Sequence, residues 1–392
     1  MKRLRTLDDV DVADKRVIVR ADYNVTTGAD DKVDSGEDFR IRTTVTTLQE
    51  LLTKRAKVIL LPRRGRDEDP LSQLDLSPVS KRLEELLGQP VRKIPNLTGE
   101  DVVQESHRVS PGEVVMLPNV RQDPREAQVN DQFAAELALL AEVYVNEAFG
   151  EAHRAHTSLT LLAQRMTSVA GRRVQLEIEA LSKVANNVPR PYVVLASGAK
   201  LEDKIGMLRS LAEKADVICV GGKIANVFLA AAGKLDAAQF RPDDIAAAQS
   251  LIAAAKGKLR LPRDIVTGSE DGQHYVKAMP VEELAVDMPA WDIGPETVKE
   301  FLTACTRAKT IIWNGPMGRC EVSTYCAGTR QLAQALSKLS AYRVVGGGDT
   351  VTALHQFGLA EAFDHMSVGG GAMIALLEGK RMPALEPLYV ED

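Results

Sequence analysis

Arg343-Val344-Val345-Gly346-Gly347-Gly348-Asp349-Thr350 is the stretch from which the fold can be read. A short apolar run enters it, and polar, helix-compatible sequence leaves it. Three glycines remove every side chain that would hold the backbone away from a ligand. They also let successive N–H groups turn towards one point, as an anion requires. Asp349 then offers a hard oxygen of the kind Mg²⁺ takes beside phosphate oxygens. The same residues would equally serve a tight strand-to-helix turn in which the Asp caps the helix, and the glycine spacing matches no standard fingerprint. Recurrence of the pattern decides between the two.

It recurs through the second half of the chain. Tyr192–Leu195 ends in Ser197-Gly198-Ala199-Lys200, with Asp203 and Lys204 on the following turn. Val217–Val220 ends in Gly221-Gly222-Lys223, and Thr310–Trp313 in Asn314-Gly315-Pro316-Met317-Gly318. Ser367-Val368 runs into Gly369-Gly370-Gly371. Glycine-bearing loops at successive strand ends, with few lysines, point to close backbone approach to a nucleotide. The chain has no GxxxxGK[ST] and no complete GxGxxG after a strand, so neither standard phosphate motif applies.

The first half carries different chemistry. Arg16–Arg20, Lys57–Leu61, Val114–Leu117 and Glu142–Val145 read as buried strands. A helix fits over Thr43–Leu52, and another opens at Asn130 or Asp131. Strands alternating with helices imply a parallel sheet, whose ligands bind beyond the carboxyl ends of the strands. Here those ends bear Arg20, Arg63, Arg64, Arg66, Arg121 and Arg154, with Arg40 nearby. In a chain of net charge −5, this placement points to a small substrate with more than one negative group. Scattered surface ion pairs are the alternative. A helix over Arg172–Asn187, stopped by Pro189-Arg190-Pro191, marks a domain boundary.

At 392 residues, two domains or one large one are expected. The net acidity argues against general nucleic-acid binding and against a basic membrane surface. Cys219, Cys305, Cys320 and Cys326 lack CxxC spacing and no His cluster accompanies them. This argues against a zinc site or disulfide framework and for a reducing cytoplasm. The N-terminal MKRLRTLDDVDVADK has no apolar core of a signal peptide, and no run is long enough to span a bilayer. Cys305, Trp291 and Trp313 read as packing residues.

An arginine-lined sheet, a Pro-bounded hinge and a glycine-lined sheet, in this order, resemble phosphoglycerate kinases. The resemblance runs from about Arg16 to Pro387. Its strongest segments are RADYN (20–24), NEAFGEAHRAH (146–156), SGAKLEDKIG (197–206), DIGPETV (292–298), WNGPMG (313–318), VVGGGDT (344–350) and GGGA (369–372). It implies an α/β fold of two doubly wound parallel-sheet (Rossmann-like) domains joined by a helix hinge, with an open cleft between them. The expected boundaries are 1–171 for an acid-substrate domain, to which 373–392 returns, 172–190 for the hinge, and 191–372 for a nucleotide domain.

The resemblance also implies a cytoplasmic, monomeric kinase. It would transfer phosphoryl between MgATP and the carboxylate of 3-phosphoglycerate, giving 1,3-bisphosphoglycerate and MgADP. Asp22 and Asn24 would hold the hydroxyl end of the acid, and Arg63, Arg66, Arg121 and Arg154 its phosphate. Arg40 and Lys200 would meet the transferring group from opposite sides, with Gly347 and Gly370 supplying backbone there. Gly198, Ala199, Lys204, Gly222, Asn314, Pro316, Gly346, Gly348 and Thr350 would line the nucleotide, Glu321 would bind its ribose, and Asp349 its Mg²⁺. The chain departs from the family pattern at Arg63 (usually His), Ser197 and Lys223 (commonly Gly), Cys320 (aromatic) and Val368 (a hydroxyl residue). A related kinase for another phosphorylated acid, or a non-catalytic nucleotide-binding protein of the same fold, are the competing readings.

Overall fold

The computed structural model describes residues 2–28, 32–33, 38–65, 69, 75–285 and 288–391. Arg66 lies outside the described residues. The chain divides into two compact units, one formed by Met1–Glu179 with Arg381–Asp392 and the other by Ala180–Lys380.

The first unit is built on strands β1 (Lys2–Leu4), β2 (Arg16–Asp22), β3 (Lys57–Arg63), β4 (Val91–Lys93), β5 (Val114–Met116), β6 (Val143–Asn146) and β7 (Thr167–Ala170). All but β1 form a parallel sheet in the order β4-β5-β3-β2-β6-β7. The continuous apolar runs follow from burial on both faces. Val17, Val19, Val58, Leu60, Val143 and Val145 pack with Ile41, Leu48 and Leu51 of the helix Phe39–Thr53. The intervening Ile18, Ile59, Leu61 and Tyr144 pack on the opposite face with Phe133 and Leu137. That second helix is Asp131–Ala138, and Asn130 caps it by accepting from the Phe133 N–H at 2.9 Å. The chain returns at its end. Tyr389–Glu391 pairs antiparallel with β1, and Asn146 Nδ2 donates to the Ala384 carbonyl at 3.1 Å.

The second unit repeats the plan with β8 (Tyr192–Ala196), β9 (Val217–Val220) and β10 (Leu259–Arg260). A small antiparallel sheet follows, from β11 (Asp264–Thr267), β12 (Lys277–Pro280) and β13 (Asp292–Ile293). The main sheet is completed by β14 (Thr310–Asn314), β15 (Tyr342–Gly346) and β16 (His365–Met366). Its order is β10-β9-β8-β14-β15-β16, all parallel. From β8 the chain winds outwards to β9 and β10, and from β14 it winds the other way to β15 and β16. The direction reverses between β8 and β14, and the crevice above such a point is where open α/β sheets bind ligands.

The expected helix over 43–52 is longer in the structure, Phe39–Thr53, so Arg40 sits on its first turn. Among the described residues, no helix is long and apolar enough to cross a membrane. The expectation against a disulfide is corrected. Cys320 and Cys326 are bonded, because the turn between them brings their Cα atoms within 4.4 Å. Cys219 and Cys305 are free and buried.

Candidate functional site: a basic cluster and a glycine-walled cavity

In the first unit the loops after β2, β3 and β5 are tied to one another. The Tyr23 N–H donates to the Arg63 carbonyl at 2.8 Å, and the Gly65 N–H to Asn24 Oδ1 at 3.0 Å. Asn119 accepts from the Arg64 and Arg121 N–H groups and returns a bond to the Arg64 carbonyl. These ties place Asp22, Asn24, Arg63 and Arg121 at the carboxyl edge of the sheet. Arg40 Nη1 reaches Asp22 Oδ2 from the neighbouring helix and stays partly exposed. Arg154 lies half-buried on the turn after β6, its N–H donating to the Glu151 carbonyl at 2.9 Å.

The arginines are not alike. Arg20 is fully buried, donating to Glu151 at 2.5 Å and to Ser158 Oγ at 2.8 Å, with Glu126 at 3.8 Å. It belongs to the framework and not to a ligand surface, because Ala21, Tyr144 and the rest of the core enclose it. Arg63 Nε lies 3.0 Å from Glu151 Oε1, a carboxylate it shares with Arg20. Arg64 donates to the carbonyls of Val25 and Asp75. Burial pushes the Glu151 carboxyl up, but the attraction of Arg20 and Arg63 overcomes it and holds the group below its ordinary value. Burial dominates at Glu126, whose carboxyl is pushed up despite Arg20. Neither glutamate is legible as a partner of Arg20 from the chain, since Glu151 is 131 residues away.

In the second unit a cavity of about 310 Å³ opens at the reversal point of the main sheet. Ser197, Gly198, Ala199, Gly222, Lys223, Pro316, Glu321 and Asp349 line it, as do Glu270, Trp291 and Arg319. The loops after β8 and β14 lock together beneath it. The Ser197 N–H donates to the Asn314 carbonyl at 2.8 Å, and Ser197 Oγ to the Pro316 carbonyl at 2.5 Å. Gly315 sits where this closeness permits nothing larger. Its φ is +94°, and a Cβ there would lie 2.3 Å from the Ser197 carbonyl oxygen. Its N–H donates to Thr350 Oγ1 at 3.0 Å, joining the loop after β14 to that after β15.

The opening stretch resolves into β15, a turn, and a helix, Gly348–Gln356. Gly347 is in the left-handed region at φ +94°, and Asp349 is exposed on the first turn of the helix. Gly347 is the N-cap of this helix, so Asp349 stands inside the first turn and not at the cap, and it lines the cavity. Lys204 donates to Asn314 Oδ1. Burial pushes its ammonium below the usual lysine range, with Asp203 and Asp349 opposing. Lys200 is largely exposed, 4.0 Å from Glu202. Gly370 precedes the helix Gly371–Leu377 with φ +46°.

One carboxylate facing phosphate-sized space fits Mg²⁺, which takes one or two carboxylates and completes its shell from nucleotide phosphates and water. Among the described residues, no cluster of three or more His, Cys, Asp or Glu could hold a metal by protein ligands alone. Asp349, one of three carboxylates in the cavity wall with Glu270 and Glu321, would serve as such a ligand, the metal arriving with the nucleotide. Trp291, expected as a packing residue, instead forms part of the cavity wall. Glu270 and Arg319 also lie outside the expected set, Glu270 on the loop after β11 and Arg319 on the loop after β14, directly behind Gly318.

The family profile described as "Phosphoglycerate kinase" matches residues 7–380. Among curated proteins, a phosphoglycerate kinase of Thermomicrobium roseum is 42% identical over 396 residues, covering 99% of this chain and 100% of its own. That of Herpetosiphon aurantiacus is 40% identical over 390 residues, covering 98% of each. Among solved structures, phosphoglycerate kinase from Coxiella burnetii matches with a TM-score of 0.84 at 32% identity, covering 98% of this chain and 99% of its own. The enzyme from Pyrococcus horikoshii OT3 matches with a TM-score of 0.88 at 26% identity, covering 98% of each. Two doubly wound units, a basic strand edge on one and a glycine-walled cavity on the other, and this full-length similarity make the chain a member of the phosphoglycerate kinase family.

Proposed function

We propose that the chain, as a cytoplasmic monomer, transfers phosphoryl reversibly between MgATP and the carboxylate of 3-phosphoglycerate, giving 1,3-bisphosphoglycerate and MgADP. The observation that carries this is the cavity at the sheet reversal point, whose wall joins glycine loops, Glu321 and Asp349. The acceptor is a carboxylate, already ionised near neutral pH, so no general base is required. The work left to the protein is in-line positioning and cancellation of repulsion between two anions. Asp22 and Asn24 hold the hydroxyl end of the acid, and Arg63, Arg66, Arg121 and Arg154 its phosphate. Arg40 and Lys200 neutralise the transferring group from opposite sides. Gly347 and Gly370 offer N–H groups to it. Lys204, Asn314 and Thr350 orient the nucleotide phosphates, and Glu321 accepts from the ribose hydroxyls. Asp349 would hold Mg²⁺, which when bound would supply further neutralisation of phosphate charge. Retention of Arg40, Lys200 and Asp349 together favours transfer over simple binding.

Calorimetric titration with ADP tests the nucleotide half. Wild-type protein is expected to bind ADP more tightly with Mg²⁺ than with a chelator. Asp349→Ala is expected to lose that increment, about tenfold or more for one charge-assisted contact. Equal affinity of the variant and wild type for MgADP would remove Asp349 from the metal site.

A further inference from the structure

Glu321 stands in the cavity wall directly after a bonded cysteine, inside the short loop that the Cys320–Cys326 disulfide closes. Its side chain is exposed and, among the described residues, has no hydrogen-bond or ion-pair partner, so the backbone decides where it points. The loop is anchored on both sides. Before it, the Arg319 N–H donates to the Trp291 carbonyl at 2.9 Å. At its far end, Tyr325 Oη donates to the Ser269 carbonyl, and Asp292 Oδ2 accepts from the Gly328 N–H at 2.8 Å. Two turn bonds run within it, from the Val322 N–H to the Arg319 carbonyl and from the Tyr325 N–H to the Val322 carbonyl. The disulfide adds a covalent tie from the residue before Glu321 to Cys326, the N-cap of the helix Ala327–Leu336. Cys320 is half-buried and Cys326 is buried. Cys219 and Cys305 are fully buried, and burial pushes both thiols up, so neither competes in thiol chemistry.

We propose that Cys320–Cys326 is a reversible redox site, opened by a dithiol reductant, that sets nucleotide affinity through the placement of Glu321. This rests on the nucleotide reading of the cavity. In a cytoplasmic protein a disulfide is usually a transient or sensing one. A thiolate of the reductant attacks the more accessible Cys320 Sγ. The S–S bond breaks, and its electron pair leaves on Cys326 Sγ, which takes up a proton. The helix N-terminus favours the negative charge formed there as the bond breaks. The second thiol of the reductant then loses its proton and attacks the mixed disulfide, and Cys320 leaves as a thiolate and is protonated. The protein gains two electrons and two protons, and the reductant becomes a disulfide; a disulfide oxidant reverses the exchange. Reduced, the loop keeps its anchors but loses the crosslink beside Glu321. Ordering that carboxylate on a ligand then costs affinity.

The test compares the full chain oxidised with glutathione disulfide and reduced with dithiothreitol. Native iodoacetamide labelling is expected at Cys320 only after reduction. MgADP and magnesium pyrophosphate, which lacks a ribose, are the binding probes. Reduction is expected to weaken MgADP by about 3- to 30-fold, up to the share of one hydrogen bond to a charged group, and to leave pyrophosphate within about twofold. The double variant Cys320→Ser/Cys326→Ser should bind MgADP as the reduced protein does, with or without dithiothreitol. Glu321→Ala keeps the disulfide, and its two forms should bind MgADP alike. Equal MgADP affinity of the two wild-type forms overturns the proposal. So does an equal loss of pyrophosphate binding, a redox dependence that survives in Glu321→Ala or in the double variant, or a disulfide that dithiothreitol leaves closed in the folded protein. Wild-type protein that binds MgADP in neither form overturns the nucleotide reading itself, and the redox site with it.

Discussion

Arg20→Met is expected to cost the first unit about 3–5 kcal/mol, the scale for removing one partner of a buried pair. Arg20 is enclosed completely, and it is the shared partner of Glu151 and Glu126. Its loss leaves two buried carboxyls with Arg63 beside Glu151 and the His156 ring 3.9 Å from each. In the wild type, the lowered Glu151 contributes stability that is present above its unfolded value and lost as pH falls through the folded one. Without Arg20, burial should raise both carboxyls above their unfolded values. The variant's penalty should then be smallest in acid and grow as pH rises towards neutrality. Guanidinium denaturation at pH 5 and pH 8 checks both the size and the sign. A loss under about 1 kcal/mol would be the cost of an exposed pair, and would show that Arg20 is not structural.

Arg40→Ala is the variant with the largest expected catalytic effect. An arginine acting on a transferring phosphoryl group contributes about 10³–10⁵ in rate, and kcat should fall on that order. Arg40 is held by Asp22 at the first turn of its helix and belongs to the first unit, whereas the cavity lies wholly in the second. Affinity for MgADP should therefore be unchanged. Lys200→Ala should lower kcat similarly while MgADP affinity changes little, because its exposed ammonium acts on charge that develops during transfer. Steady-state kinetics beside equilibrium binding separate the two effects. Near-normal kcat in both variants would remove the roles assigned to them.

These two arginines mark where the sequence could be read and where it could not. Arg20 lies near the end of a strand and Arg40 on the first turn of the helix that follows it. One proved to be framework because Glu151 and Ser158, more than a hundred residues on, close around it. Charge at a strand end is local information; the partner that neutralises it is not. The long strands were legible for the opposite reason. Val17 to Val19 and Ile311 to Trp313 are β-branched or large and buried on both faces, so each residue carries its own signal. The strands at Val91–Lys93, Leu259–Arg260 and His365–Met366 are two or three residues long and partly exposed, so no apolar run announces them. The antiparallel sheet of β11, β12 and β13 depends on pairings between distant segments.

The cavity was half legible. Gly198, Ala199, Gly222, Pro316, Glu321 and Asp349 line one cavity, and the glycines among them leave a visible mark in the chain because close backbone approach demands them. Trp291 leaves no such mark. A tryptophan beside β13 reads as core until its neighbours are known. The disulfide escaped for a similar reason, since a six-residue separation matches no motif and becomes reachable only through the intervening turn.

The most direct measurement of the central claim is phosphoryl transfer itself. In a coupled assay with MgATP and 3-phosphoglycerate, the folded protein should turn over, and the rate should vanish when either substrate or Mg²⁺ is withheld. Turnover only with a different phosphorylated acid would assign the basic edge to that acid. Folded protein that binds MgADP yet turns over neither would contradict the account.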